Sequence, residues 1–327
     1  MNPAIFAPDG DIDLLAVGET LIDFISEQSV AHLQNAGSFR RYLGGSPANI
    51  AVNVAQLGGR SAVISKIGGD AFGRFIESEL RRFGVSTDYL VVDEGVRTSI
   101  VFVARTTGTP DFEPMRDADF RLVPEDIPEA AIARAKVVHA SAFALSREPC
   151  RSAVRKAFTL AREMGKIISL DPNYSPRIWP DLGEARQVLA ELYRMTTLTK
   201  PSLDDARRLF GPACTPEQGI ARFHEMGARF VIFTMGREGI LISEDGRLLG
   251  HLPARSVVAV DATGAGDSFW AGFVTALLDG NSLGRSVLFG REIVELKLQA
   301  VGPLPSGIDR REIVAGLPEP AEAIKRR

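Results

Sequence analysis

The chain has 327 residues, 45% of them hydrophobic, and sets 38 Lys+Arg against 41 Asp+Glu for a formal net charge of −3. That length and apolar content suffice for one large α/β domain with a sizeable core and exclude a disordered chain. The near-neutral balance argues against nucleic acid or an anionic membrane as partner. The opening "MNPAIFAPDGDID" places acids and prolines where a secretion signal needs a basic start and an apolar run, and no stretch is long and apolar enough for a span. A soluble cytoplasmic protein is expected. Cys150 and Cys214 stand outside any CxxC or His-rich setting and read as ordinary thiols.

In chain order, short apolar runs stop at polar or glycine corners: "LLAV" before Gly18, "AVISKI" before Gly68, "VVHA" before Ser141, "IISL" before Asp171 and "FVIF" before Thr234. Runs of this kind predict buried parallel strands. Between them, Phe72, Phe75, Ile76, Leu80 and Phe83 share one helical face, and Val154, Ala157, Leu160, Ala161 and Met164 share another. The alternation predicts a Rossmann-like, doubly wound, mostly parallel sheet, whose ligands bind beyond the carboxyl ends of the strands. Segments 19–44 and 95–117 break the pattern. They read as strands joined by turns with no helix between, a small β lid inserted in a single domain that runs the whole chain.

The stretch "VDATGAGDSF" at 260–269 precedes the apolar "WAGFVTALL". Gly264 and Gly266 let the backbone turn sharply at the start of a helix, where unpaired amides and the positive dipole end favour an anion. Asp267 then falls in the first helical turn. There an acid either only stabilises the helix, by about 0.3–1 kcal/mol, or does chemistry beside the bound anion. A plain cap needs no pair of glycines that weaken the helix start, so the Gly-Ala-Gly favours chemistry. Rival motifs fail. Phe269 stands where GxGxxG needs its third glycine, no GxxxxGK[ST] or HExxH occurs, and His32, His139, His224 and His251 form no triad or metal cluster.

"DATGAGDSF" resembles the C-terminal signature of the ribokinase-like (PfkB-type) carbohydrate kinases, and "GGSPANIAVNVAQLGG" at 44–59 resembles their N-terminal signature. Further likenesses in "GETLIDF", "KIGGDAFGRFIESELRRFGV", "DPNYSPRIWP", "TMGREG" and "AVGPLPSG" extend the resemblance over roughly residues 13 to 310, nearest in flavour to fructokinases and 2-keto-3-deoxygluconate kinases. The resemblance implies an α/β kinase with a β lid, ATP and Mg²⁺ as cofactors, and an alcohol group of a small sugar as phosphoryl acceptor. It implies that Asp267 accepts the hydroxyl proton and that the amides of Gly264, Ala265, Gly266 and Asp267 hold the moving phosphoryl group.

At the sugar end it implies Asp23, Gly44, Gly45 and Asn49, although Asp23 alone also reads as a loop acid and Asn49 as an N-cap residue. Arg116 and Arg177 are either surface arginines or partners of a substrate carboxylate or of ATP. At the nucleotide end, Thr234, Gly236 and Gly239 match a glycine turn near the phosphates. Ser202 and Asp205 stand where many relatives carry Asn-x-x-Glu, and they equally compose a capping box. Asp261, Thr263, Gly302 and Ser306 match positions that surround a monovalent cation, K⁺, in relatives. Fructose is the expected substrate, with a 2-keto-3-deoxy sugar acid as the alternative and a catalytically silent sugar sensor as the reading from another class. A homodimer through the lid is the expected assembly.

Overall fold

The computed structural model describes residues 8–106, 111–305 and 307–325. Nine strands build the main sheet: β1 (Ile12–Val17), β4 (Ser61–Gly68), β5 (Leu90–Asp93), β8 (Ala135–Ser141), β9 (Ile167–Asp171), β10 (Leu198–Thr199), β11 (Phe230–Thr234), β12 (Ile240–Glu244) and β13 (Arg247–Leu252). Their order is β13-β12-β11-β10-β9-β8-β1-β4-β5. Every pair from β11 to β5 is parallel, while β12 and β13 add an antiparallel edge. The five apolar runs noted in the sequence all lie in strands of this sheet. β1 shows why such runs are continuous: Leu15 and Val17 enter the core on one face, Leu14 and Ala16 the core on the other.

A second sheet has the order β3-β2-β6-β7, from β2 (Leu21–Ser29), β3 (Phe39–Gly44), β6 (Ile100–Arg105) and β7 (Phe112–Met115). These strands fall within segments 19–44 and 95–117. The pairing of β2 with β6 is parallel, so this small sheet is mixed. Residues 107–110 of the second segment lie outside the described residues.

The face predicted from Val154 to Met164 needs one correction. In the helix Cys150–Glu163, Phe158 is fully buried, whereas Met164 follows the helix and is exposed. The helix Ala265–Leu278 is buried all round from Ser268 to Leu277, as a helix must be when neighbours cover every side. It packs against the helices Ser46–Gln56 and Leu283–Leu298. Trp270 donates its indole N–H to Ser169 of β9 at 2.9 Å, which ties the helix start to the sheet. Among the described residues no helix is long and apolar enough to cross a membrane.

Candidate active site

The site forms where the parallel strands end. Glu19 follows β1, while Ser141 closes β8, Asp171 closes β9, Lys200 follows β10, and Thr234 closes β11. The glycine corner lies on the same side. Gly264 adopts a left-handed conformation (φ 71°) that turns the chain into the helix Ala265–Leu278. The Ala265 amide closes a turn onto the Ala262 carbonyl at 3.1 Å. The amides of Gly266 and Asp267 belong to the first helical turn and have no acceptor inside the helix.

Asp267 is held by two donors from the other signature. The Ser46 hydroxyl donates to its Oδ1 at 2.8 Å and the Asn49 amide to its Oδ2 at 3.0 Å. Both donors sit at the start of the helix Ser46–Gln56, which begins at Gly45 (φ 97°) with Pro47 in its first turn. A Cβ at Gly45 would crowd the Glu19 carbonyl, so glycine is what lets this helix approach the end of β1. The two sequence motifs thus converge on one carboxylate. Burial pushes the Asp267 carboxyl upward, and the Asn49 and Ser46 donors together with Lys200 and Lys297 oppose that rise.

A cleft of 360 Å³ opens beside this carboxylate, lined among others by Asp23, Asn49, Thr263, Gly264, Lys297 and Gly302. Asp23 comes from β2 of the lid, opposite Tyr42 of β3. Its carboxylate lies against Gly44, where a Cβ would overlap it. Desolvation, helped by the negative charge of Asp267, raises its pKa to about 7. Asp23, Gly44, Gly45 and Asn49 are therefore gathered at one place with Asp267.

Not all of the other expected residues share that cleft. Arg116 and Arg177 share a separate hollow of 300 Å³ with Glu113 and Arg147. Arg116 is buried and engaged with Asp119, Ser146 and the Phe143 carbonyl; Arg177 pairs with Asp111 and Glu113. Ser202 and Asp205 form a complete capping box on the helix Leu203–Phe210. The Asp205 carboxylate accepts from Ser202 and from the Tyr174 amide, so its oxygens are already committed to the backbone. Thr234, Gly236 and Gly239 build the turn from β11 to β12, where the Thr234 amide donates to the Pro201 carbonyl at 2.9 Å. Asp261 is fully buried, and Thr263 and Gly302 line the main cleft. Ser306 lies outside the described residues.

Three residues at the corner were not among the expected site residues. Lys200 and Asp171 form a buried ion pair at 2.9 Å. A Cβ on Gly266 would stand 3.1 Å from the Lys200 ammonium, so the second glycine of the corner leaves room for that charge. Burial lifts the Asp171 carboxyl to about 6 against the pull of Lys200, while the surrounding carboxylates raise the Lys200 ammonium despite its burial. Lys297 reaches the corner from the last turn of the helix Leu283–Leu298, with its Nζ 3.9 Å from Asp261 Oδ2. Burial lowers its pKa, opposed by Asp261 and Asp267. Asp171 opens the "DPNYSPRIWP" stretch noted above, and Lys200 stands at the carboxyl end of the adjacent strand.

A family model described as pfkB family carbohydrate kinase matches residues 11–308. The chain belongs to this family. Among curated relatives it is 34% identical to an ATP-dependent 6-phosphofructokinase of Thermoanaerobacterium thermosaccharolyticum over 303 residues, 93% of either chain. It is 33% identical to fructokinase-2 of Solanum habrochaites over 273 residues, 83% of either chain. Among solved structures, fructokinase from Halothermothrix orenii superposes with a TM-score of 0.76 at 40% identity, covering 89% of this chain and 99% of the other. An Escherichia coli protein of ribokinase type, solved with ATP and Mg²⁺, gives 0.81 at 27% identity over 93% and 98%. A Vibrio cholerae fructokinase double mutant, solved with fructose, ADP and a potassium ion, gives 0.80 at 26% over 91% and 96%. The fold is thus the ribokinase-like one, and the expected phosphotransferase class with an alcohol acceptor holds for this member of the family.

Proposed function

We propose that the protein is an ATP-dependent kinase that transfers the γ-phosphoryl group to a hydroxyl of fructose. One observation carries the reading: Asp267, in the first turn of the helix that follows the glycine corner, is held by Ser46 and Asn49 within electrostatic reach of Asp23, and Asn49 and Asp23 line the same cleft. Asp23 accepts hydroxyl donors of the sugar and orients it. Asp267 then takes the proton of the attacking hydroxyl, and a weak base suffices because phosphoryl transfer depends mainly on positioning and charge stabilisation. The free amides of Gly266 and Asp267 and the Lys200 ammonium supply the positive field on the opposite side. Bound ATP supplies the group to be transferred. With one Asp205 oxygen in the capping box and the other on the Tyr174 amide, Mg²⁺ would be held chiefly by ATP and water, where it would offset the phosphate charge. We place the enzyme in the cytoplasm, where ATP is available, and infer a homodimer through the lid, whose strands β3 and β7 end the small sheet as edges.

A second reading is fructose 6-phosphate as acceptor. Arg40, Arg41 and Arg82 line the same cleft as Asp23, and a 6-phosphofructokinase is among the relatives named above. A coupled ADP-release assay with Mg²⁺ over fructose, fructose 6-phosphate, ribose and 2-keto-3-deoxygluconate decides between them, with fructose expected to give the largest kcat/KM. ADP release no faster with any sugar than without one would refute the kinase reading and leave a sugar-binding relative. Light scattering of the free protein reads the assembly.

A further inference from the structure

The loop that begins at Asp261 was expected to hold a monovalent cation, and such a site needs carboxylate or carbonyl oxygens left free for the ion. Here an Asp261 oxygen and the nearby Ala300 carbonyl face an ammonium instead. Asp261 Oδ1 accepts from the Thr263 amide at 3.0 Å, while its Oδ2 is buried with no hydrogen-bond donor among the described residues. The Lys297 ammonium stands 3.9 Å from that oxygen and donates to the Ala300 carbonyl at 3.4 Å. It therefore meets both kinds of ligand that a monovalent ion would use, one carboxylate and one carbonyl. Both side chains are almost completely shielded from solvent. The place also suits a fixed cation: it is the carboxyl end of the helix Leu283–Leu298, where the dipole is negative. The Val260 amide fastens the loop to that end through the Leu298 carbonyl at 2.7 Å.

We propose that Lys297 is a built-in cation that takes the place of a dissociable monovalent ion at the Asp261 loop, so that this enzyme works without potassium. The loop leads directly into Gly264, and a Cβ there would lie 3.9 Å from the Lys297 Cε. The ammonium thus neutralises the buried carboxylate immediately below the amide corner and fixes the backbone that presents it. A second cation against the same oxygens would face a like charge within a few ångströms, in a medium that screens poorly. Unlike an ion, the lysine cannot dissociate, so the corner stays set whatever salt surrounds it. Lys297 acts through the loop and is a positioning residue. The inference rests on the kinase reading only insofar as the corner is taken to receive the phosphoryl group.

The test uses the full chain at matched ionic strength with K⁺, Na⁺ or tetramethylammonium as the sole monovalent cation, reading ADP formation and the thermal unfolding midpoint. For the wild type, both are expected to be the same in all three salts. Lys297→Ala is expected to lose on the order of a hundredfold in rate in tetramethylammonium, to regain much of it in K⁺, and to show a saturable rise of its midpoint with K⁺. Lys297→Met, which keeps the apolar stem, should behave likewise. Wild-type activation by K⁺ but not by tetramethylammonium would overturn the proposal. So would a Lys297→Ala enzyme at full rate without K⁺, or one whose rate and midpoint both ignore K⁺. If neither variant folds, the wild-type cation response decides by itself. The midpoint requires neither sugar nor nucleotide, so a failed kinase reading appears as absent ADP formation and is distinct from a failed cation response.

Discussion

Asp267→Asn isolates the proposed base with little change of shape. The carboxylate now accepts from Ser46 and from Asn49, one donor to each oxygen. Asparagine keeps one acceptor for the Asn49 amide and turns its own NH₂ toward Ser46, whose hydroxyl can rotate and accept. Two charge-assisted hydrogen bonds become neutral ones, a loss of about 1 kcal/mol each. Against that stands the cost of burying the charge. The folded protein raises the Asp267 pKa, so the native state holds its proton more tightly than the unfolded chain, and stability falls as pH rises from the ordinary carboxylate range through the raised value. Above that window the charge is a net cost, which asparagine removes. The unfolding midpoint should therefore stay within a few degrees of wild type at neutral pH.

The rate should not survive in the same way. Removing a positioned base costs about 10²–10⁴-fold, or roughly 3–5 kcal/mol of barrier, and the loss should fall on kcat while the sugar KM changes little, because Asp23 still binds the hydroxyls. Coupled ADP release at saturating sugar and ATP, with calorimetry on the same samples, reads both quantities. A variant that folds normally and turns over within tenfold of wild type would refute the assignment of the proton to Asp267.

Four further outcomes follow from the same geometry. With the Asp23 pKa at about 7, the ionised fraction rises roughly tenfold between pH 6 and pH 8; kcat/KM for the sugar should rise in parallel, and a flat profile over that range would exclude ionised Asp23 as the hydroxyl acceptor. Gly44→Ala drives a methyl into the Asp23 carboxylate and should raise the sugar KM by about tenfold or more at a stability cost of about 1–3 kcal/mol. Gly266→Ala meets the Lys200 ammonium at 3.1 Å and should depress kcat with KM nearly unchanged, as steady-state kinetics would show. Lys200→Met strands the buried Asp171 and should cost about 3–5 kcal/mol of stability; adding Asp171→Asn should restore the melting midpoint but not the rate, and recovery of both would make the pair purely structural.

Much of this was legible in the sequence for a specific reason: strands buried on both faces must be continuously apolar, so β1, β4, β8, β9 and β11 announce themselves. The antiparallel edge did not, because "ILISE" and "RLLGHL" flank a short turn and mix apolar with polar positions as surface segments also do. At the site, Asp267 stood out because two glycines precede it at a helix start, whereas Asn49 and Asp23 stood out only through the likeness of their motifs to the family's signatures. The capping box of Ser202 and Asp205 was readable because it is local, three residues apart. Lys200 and Lys297 were not. A single lysine in "TKPS" or "LKLQ" looks like any solvated cation, and only the tertiary meeting with Asp171 or Asp261 makes it a buried charge.

Those two lysines also bear on how the corner can receive a phosphate at all. Asp23 and Asp261 line the cleft and Asp171 and Asp267 couple electrostatically to groups beside it; on the proposed function this cleft accepts an anion, and a pair of like charges at about 4 Å costs about 4 kcal/mol even at an effective dielectric of 20. Lys200 answers Asp171 and Lys297 answers Asp261, which leaves Asp23 and Asp267 as two carboxylates that repel each other. Their mutual repulsion contributes to the raised pKa of Asp23, and a sugar whose hydroxyls donate to Asp23 relieves it. On the proposed function, the acidic half of the site would bind hydroxyls and the half built from amides and ammonium groups would bind phosphate, with Asp267 at the seam where a proton must leave one half as phosphorus arrives from the other.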